Sequence, residues 1–103
     1  MNTIIIDTSS NKKIIVGIRI DGKKDIIEQK IGFQKAQVVL PLLDKLLKKH
    51  QLEPTDINAI QVNTGPGSFT GLRVGIAIAN ALSFALKISI NGKNPGRFVE
   101  PQY

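Results

Sequence analysis

The chain opens on a short apolar run. Thr3-Ile4-Ile5-Ile6-Asp7-Thr8 is too brief for a helix and gives way to Ser9-Ser10, so residues 3–8 are expected to form a buried strand and a turn. Residues 13–20, Lys-Ile-Ile-Val-Gly-Ile-Arg-Ile, are rich in β-branched side chains and predict a second strand. Asp21-Gly22 is a two-residue hairpin signal, and residues 24–31 supply the return strand. The first third of the chain therefore reads as an antiparallel meander.

The period then changes. Val39, Leu42, Leu43, Leu46 and Leu47 recur at helical spacing within residues 35–50, and Lys48, Lys49 and His50 suit the negative end of a helix dipole. Pro41 falls inside this pattern, so a helix either begins or bends there. Pro54 closes the segment, and residues 57–63 alternate into another strand. A glycine-rich turn, Thr64-Gly65-Pro66-Gly67-Ser68, leads into residues 69–86, which are apolar nearly all round and predict a buried helix. Residues 87–90 give a last short strand. Residues 1–91 are expected to form one domain, with residues 92–103 a turn-like, mobile tail. The order is β-β-β-α-β-α-β. Strands separated by helices should run parallel, so the fold class is α/β with a mixed five-stranded sheet.

Composition narrows the chemistry. A chain of 103 residues fits one domain able to bury roughly two-thirds of its unfolded surface. Hydrophobic residues at 42% and charged residues at 21% are the balance of a globular rather than a disordered protein. There is no cysteine, which excludes disulfides, thiolate metal sites and thiol nucleophiles, and fits a cytoplasmic location. The N-terminus lacks a basic region before its apolar run, and no 18-residue apolar stretch is free of charge, so neither a signal peptide nor a membrane span is expected. The formal charge of +6 could assist contact with nucleic acid, but Lys12-Lys13, Lys23-Lys24 and Lys48-Lys49 read mainly as solvated ends of strands and a helix.

The glycine-rich turn carries the most information. A strand, then Gly65-Pro66-Gly67-Ser68-Phe69-Thr70-Gly71, then a helix can aim backbone N–H groups at an anion. The phosphate fingerprints fail, however. Thr70 stands where a dinucleotide motif starting at Gly65 needs glycine, and no Gly-Lys-Ser or Gly-Lys-Thr triplet exists. The plainer reading is a tight turn with Ser68 or Thr70 as helix N-cap. Asp7, Thr8, Gly65 and Gly67 form the weak phosphate-binding candidate set. His50 is the only histidine, and without a second one or a carboxylate cluster no metal site or catalytic triad can be drawn; no cofactor is expected.

The second helix is unusual. Gly71, Gly75, Ala79 and Ser83 lie four residues apart on one face, and Ala77, Ala81 and Ala85 form a second such row. Small residues at this spacing let another element approach closely, either the chain's own sheet or a subunit. Two glycines weaken the helix by roughly 1 kcal/mol each relative to alanine, so packing must offset that. Arg73, in the first turn, opposes the dipole and suggests a specific partner: a carboxylate of another protein, a phosphate, or Asp7. The subunit interface is the favoured reading, with Gly71, Leu72, Arg73, Gly75, Ala79 and Ser83 as its residues. A bulky residue at Gly75 would then abolish association and leave the fold largely intact.

These residues resemble a known family. The run Thr64-Gly65-Pro66-Gly67-Ser68-Phe69-Thr70-Gly71-Leu72-Arg73-Val74-Gly75 is similar to the signature of the bacterial TsaB (YeaZ) family, Gcp-like and related to peptidase M22. Ile4-Ile5-Ile6-Asp7-Thr8-Ser9 resembles its first strand, and Val39-Leu40-Pro41-Leu42-Leu43-Asp44 its first helix. The resemblance covers residues 3–90 and implies a single actin/Hsp70-like lobe of the sugar-kinase, ribonuclease H-like fold. It implies a non-catalytic, scaffold or dimerisation subunit in forming N6-threonylcarbamoyladenosine at position 37 of tRNA. The implied partners are a TsaD-like catalytic subunit, bound through a helical bundle, and a TsaE-like ATPase; self-association through the same helices is a further expectation, and tRNA would be met indirectly. Ordinary members have a second lobe of similar size, so an interlobe ATP cleft is not expected from these residues alone. Val99-Glu100-Pro101-Gln102-Tyr103 resembles the closing Pro-x-Tyr segment of longer members.

Overall fold

Alternation along β1 (Asn2–Asp7) sends Ile4 and Ile6 to one side of the strand and Thr3, Ile5 and Asp7 to the other. The computed structural model describes residues 1–30, 35–95 and 97–102. In it, β1 pairs antiparallel with β2 (Lys13–Ile20), and β2 with β3 (Lys23–Lys30). Asp21 and Gly22 join β2 to β3 with φ of 50° and 85°, the twist that a two-residue hairpin needs. Ile31, expected in the return strand, lies outside the described residues, as do Gly96 and Tyr103 of the tail.

The helix α1 (Lys35–Lys49) then leads through a 3-10 turn, Pro54–Asp56, to β4 (Ala59–Val62), which pairs parallel with β1. From there α2 (Phe69–Leu86) crosses to β5 (Ser89–Ile90), parallel to β4. The sheet order is β3-β2-β1-β4-β5, the mixed five-stranded sheet expected from the sequence. Pro41 lies within α1 rather than starting it. The 3-10 turn had no counterpart in the sequence reading, and the last two strands are shorter than their apolar patterns suggested.

One face of the sheet makes the core. Ile4 is paired with Ile18 and Ile60, and Ile6 with Val16 and Val62, so their side chains form a continuous apolar layer. Val39, Leu42, Leu43 and Leu46 of α1 and Leu72, Ile76 and Ala79 of α2 close over it, all at 7% exposure or less. Each large aliphatic buried this way contributes about 1.5–3 kcal/mol. The α1 end is tied to β3: Lys49 and His50 both reach the same Asp25 carboxylate oxygen at 2.8 Å. His50 thus serves as a cross-element contact as well as sitting at the end of α1.

Residues 97–102 of the tail fold back on the domain. Val99 is buried in the core cluster, and its backbone is held by the Asn80 side chain of α2. By length and mean hydropathy (1.5 over 18 residues) α2 could cross a membrane, but its buried stripe packs on the chain's own sheet, and a core helix has the same composition.

Candidate functional site

The turn after β1 and the glycine-rich turn before α2 meet at the ends of the two parallel strands β1 and β4. Ser68 is the N-cap of α2, and its hydroxyl accepts the Gly71 amide at 3.2 Å. The Ser68 amide donates to the Ser9 carbonyl at 2.8 Å, and a side chain at Gly67 would press on Ser9 Cβ at 2.7 Å. Gly65 adopts a φ of 123°, which disfavours any other residue, and its amide donates to Asn63 Oδ1 at 2.9 Å.

Thr8 is the centre of this junction. It is fully buried; its hydroxyl donates to the Gly71 carbonyl at 2.5 Å and accepts the Gly75 amide at 3.1 Å. A Cβ at position 75 would overlap Thr8 Oγ1. Asp7, beside it, is half-buried. One of its carboxylate oxygens accepts the Ser9 amide at 2.9 Å and the Ser9 hydroxyl at 2.6 Å, and Asn63 donates to that hydroxyl at 3.2 Å. Burial alone would raise the Asp7 pKa. Hydrogen bonding by Ser9 and Asn63, with the charge of Lys13, outweighs it and holds the carboxyl below its usual value.

Asp7, Thr8, Gly65 and Gly67 are therefore brought together, but largely to bind the chain to itself. The amides of Gly65, Ser68 and Gly71 point at Asn63, Ser9 and Ser68 rather than into a vacant anion cradle. Asp7 and Asn63 do line an open depression of about 380 Å³ with Ile5, Gln61 and Asn91. No group of three or more His, Cys, Asp or Glu that could hold a metal occurs among the described residues.

The small-residue row has a different place from the one favoured on spacing. Gly71, Leu72, Gly75, Ala79 and Ser83 are all buried inside this chain. Gly75 admits Thr8, whose hydroxyl donates to the Gly71 carbonyl, and Ser83 donates to the Ile88 carbonyl at 2.6 Å, stitching α2 to β5. The reason is geometric: the row with the glycines lets the helix approach the sheet and the β1 turn, so it is spent on the chain's own core. A bulky residue at Gly75 would strike Thr8 and disturb the fold, contrary to the expectation that the fold would survive it.

Of that set only Arg73 is exposed, with its guanidinium 5.3 Å from the centre of the Phe69 ring. It does not seek Asp7. The exposed face runs Arg73, Ala77, Ala81, Ala85, flanked by Phe69 at 56% and Phe84 at 68% exposure. The second alanine row in the sequence was the signal for this face; nothing in its spacing distinguished it from the first.

Comparison with known proteins bears on the family and the fold. The TsaD family, tRNA N6-adenosine threonylcarbamoyltransferase, matches residues 29–94. The tRNA threonylcarbamoyladenosine biosynthesis protein TsaB of Escherichia coli is 33% identical over 92 residues, covering 89% of this chain and 39% of the relative. Its counterpart in Buchnera aphidicola subsp. Schizaphis graminum is 43% identical over 54 residues, 52% of this chain and 26% of the relative. YeaZ from Pseudomonas aeruginosa superimposes with a TM-score of 0.81 at 29% identity, over 86% of this chain and 41% of that one. The chain thus spans about two-fifths of the length of the relatives that match most of it.

Proposed function

The chain belongs to the TsaD family in its TsaB (YeaZ) branch, with the actin/Hsp70-like fold, and from this we propose that it is a non-catalytic scaffold subunit in tRNA threonylcarbamoyladenosine formation. Its partner would be a TsaD-like catalytic subunit, with a TsaE-like ATPase joining the assembly and tRNA met through the partner.

The observation that carries this reading is the outer face of α2. Ala77, Ala81 and Ala85 leave a smooth strip bordered by Phe69 and Phe84. Small residues at four-residue spacing let a second helix approach to close distance, and exposed aromatics at the border supply buried area on docking. Arg73 at one end offers a charge for a partner carboxylate. The reading supports a helix-on-helix interface, with the opposite face of α2 committed to the core.

The phosphate-binding alternative is supported less well, because the Gly65, Ser68 and Gly71 amides of the turn are engaged within the chain. Co-expression with the TsaD-like subunit followed by size-exclusion chromatography tests the scaffold reading. The two proteins should co-elute, and Ala81→Glu should separate them while leaving the far-UV circular dichroism unchanged. Co-elution that survives this change would sink the interface; saturable calorimetric binding of Mg-ATP by the isolated chain would favour the alternative.

A further inference from the structure

Residues 97–102 lie beyond the stretch matched by the family, yet they are held in place as a bound peptide would be. The Asn80 side chain donates to the Val99 carbonyl at 3.0 Å and accepts the Val99 amide at 3.0 Å, pairing with the backbone as a neighbouring strand would. Three residues on, the Gln102 amide donates to the Thr64 carbonyl at 2.6 Å. At the first of these anchors the Val99 side chain is 5% exposed, while Phe98 and Glu100 on either side face outward. A side chain at Gly65 would overlap the Gln102 carbonyl, so the glycine opens the path along which the segment runs.

These contacts read an extended backbone and one small aliphatic side chain. We propose that the groove between α2 and the Thr64–Gly65 turn is a binding site for an extended peptide that buries one β-branched aliphatic side chain, and that residues 98–102 of this chain are its resident ligand. Asn80 and Thr64 recognise the backbone, and the pocket that takes Val99 recognises the side chain. The tether is short, so the tail competes at an effective concentration of roughly millimolar. A peptide from another protein enters only by outbidding it.

The test uses the full chain and a fluorescein-labelled peptide of residues 97–102. Val99→Asp places a charge in the apolar pocket and should release the tail. By fluorescence anisotropy, this variant should bind the peptide saturably and at least tenfold more tightly than wild type, and adding Asn80→Ala should weaken that binding at least tenfold. Equal binding by wild type and Val99→Asp, or none by a variant that keeps the wild-type circular dichroism, overturns the proposal. Hydrogen exchange on the wild-type sequence gives a reading independent of that variant. The Val99 and Gln102 amides should be protected and should exchange at least tenfold faster in Asn80→Ala, with the Ile4 and Ile60 amides unchanged. Unprotected tail amides, or no response to Asn80→Ala, overturn it too. A wild-type dimer on size exclusion that Val99→Asp dissolves would put the tail in a second copy's groove and overturn the assignment in cis.

Discussion

The Gly75 amide donates to the Thr8 hydroxyl at 3.1 Å, across 67 residues of sequence. The turn after β1 is thereby locked into the first turns of α2, and position 75 has no room for a side chain. Glycine costs a helix about 1 kcal/mol relative to alanine, and the close approach of Thr8 is what its missing side chain permits.

Gly75→Ala is therefore expected to destabilise the chain by about 1–3 kcal/mol, despite the better helix propensity of alanine. Equilibrium urea unfolding measures it. Thr8→Ala removes the atoms that the new methyl would strike, so the double variant should lose less than the two single losses combined, by at least ~0.5 kcal/mol. Strict additivity would contradict the close-packing account.

The same junction shows how far the sequence could be read. The bounds of α2 were legible because a capping hydroxyl residue, Ser68 or Thr70, and a nearly continuous apolar run define them locally. Which face of α2 turns inward was not. Gly71-Gly75-Ala79-Ser83 and Ala77-Ala81-Ala85 share one period, and the residue that separates them is Thr8, supplied by a distant turn. The mixed character of the sheet followed from strand and helix alternation, and the Asp21-Gly22 hairpin from its own turn chemistry. The docking of the tail left no periodic trace, because it depends on one asparagine side chain reading backbone atoms.

Asp7 makes stability depend on pH. Its folded pKa is lowered, so its contribution is present above the unfolded value of 3.8 and is lost as pH falls through the lower folded value. Asp7→Asn should cost about 1 kcal/mol at pH 7, given partial solvent screening of its hydrogen bonds. The gap to wild type should close as the pH is taken below 3.8. Urea midpoints measured at pH 7 and at successive points down to pH 2.5 check this; a gap that is constant with pH would mean that the carboxylate charge is not what Ser9 and Asn63 stabilise.

Lys87 ends α2 in the left-handed region, with φ of 56° and its amide on the Ser83 carbonyl. That conformation is costly for a side chain and nearly free for glycine. Lys87→Gly should raise stability by about 0.5–1 kcal/mol, after the greater freedom of glycine in the unfolded chain is allowed for. The thermal midpoint should rise; a fall would show that Lys87 makes a contact worth more than the backbone strain.

The two faces of α2 give the most direct separation of fold from association. Ala79 is fully buried and Ala81 exposed, although they are two residues apart in a run of nearly uniform apolar character. Ala79→Leu forces extra methylene groups into a filled core and should cost about 1–3 kcal/mol in urea unfolding. Ala81→Leu faces outward and should stay within about 0.5 kcal/mol of wild type. Binding should reverse the ranking. A leucine at 81 blocks the close approach of a partner helix, so co-elution with a TsaD-like subunit should be lost while the chain stays folded. Enough of the Ala79→Leu variant should remain folded at low temperature to bind. If Ala81→Leu instead destabilised the isolated chain as much as Ala79→Leu, the outer row would be part of the core and the interface would have to lie elsewhere.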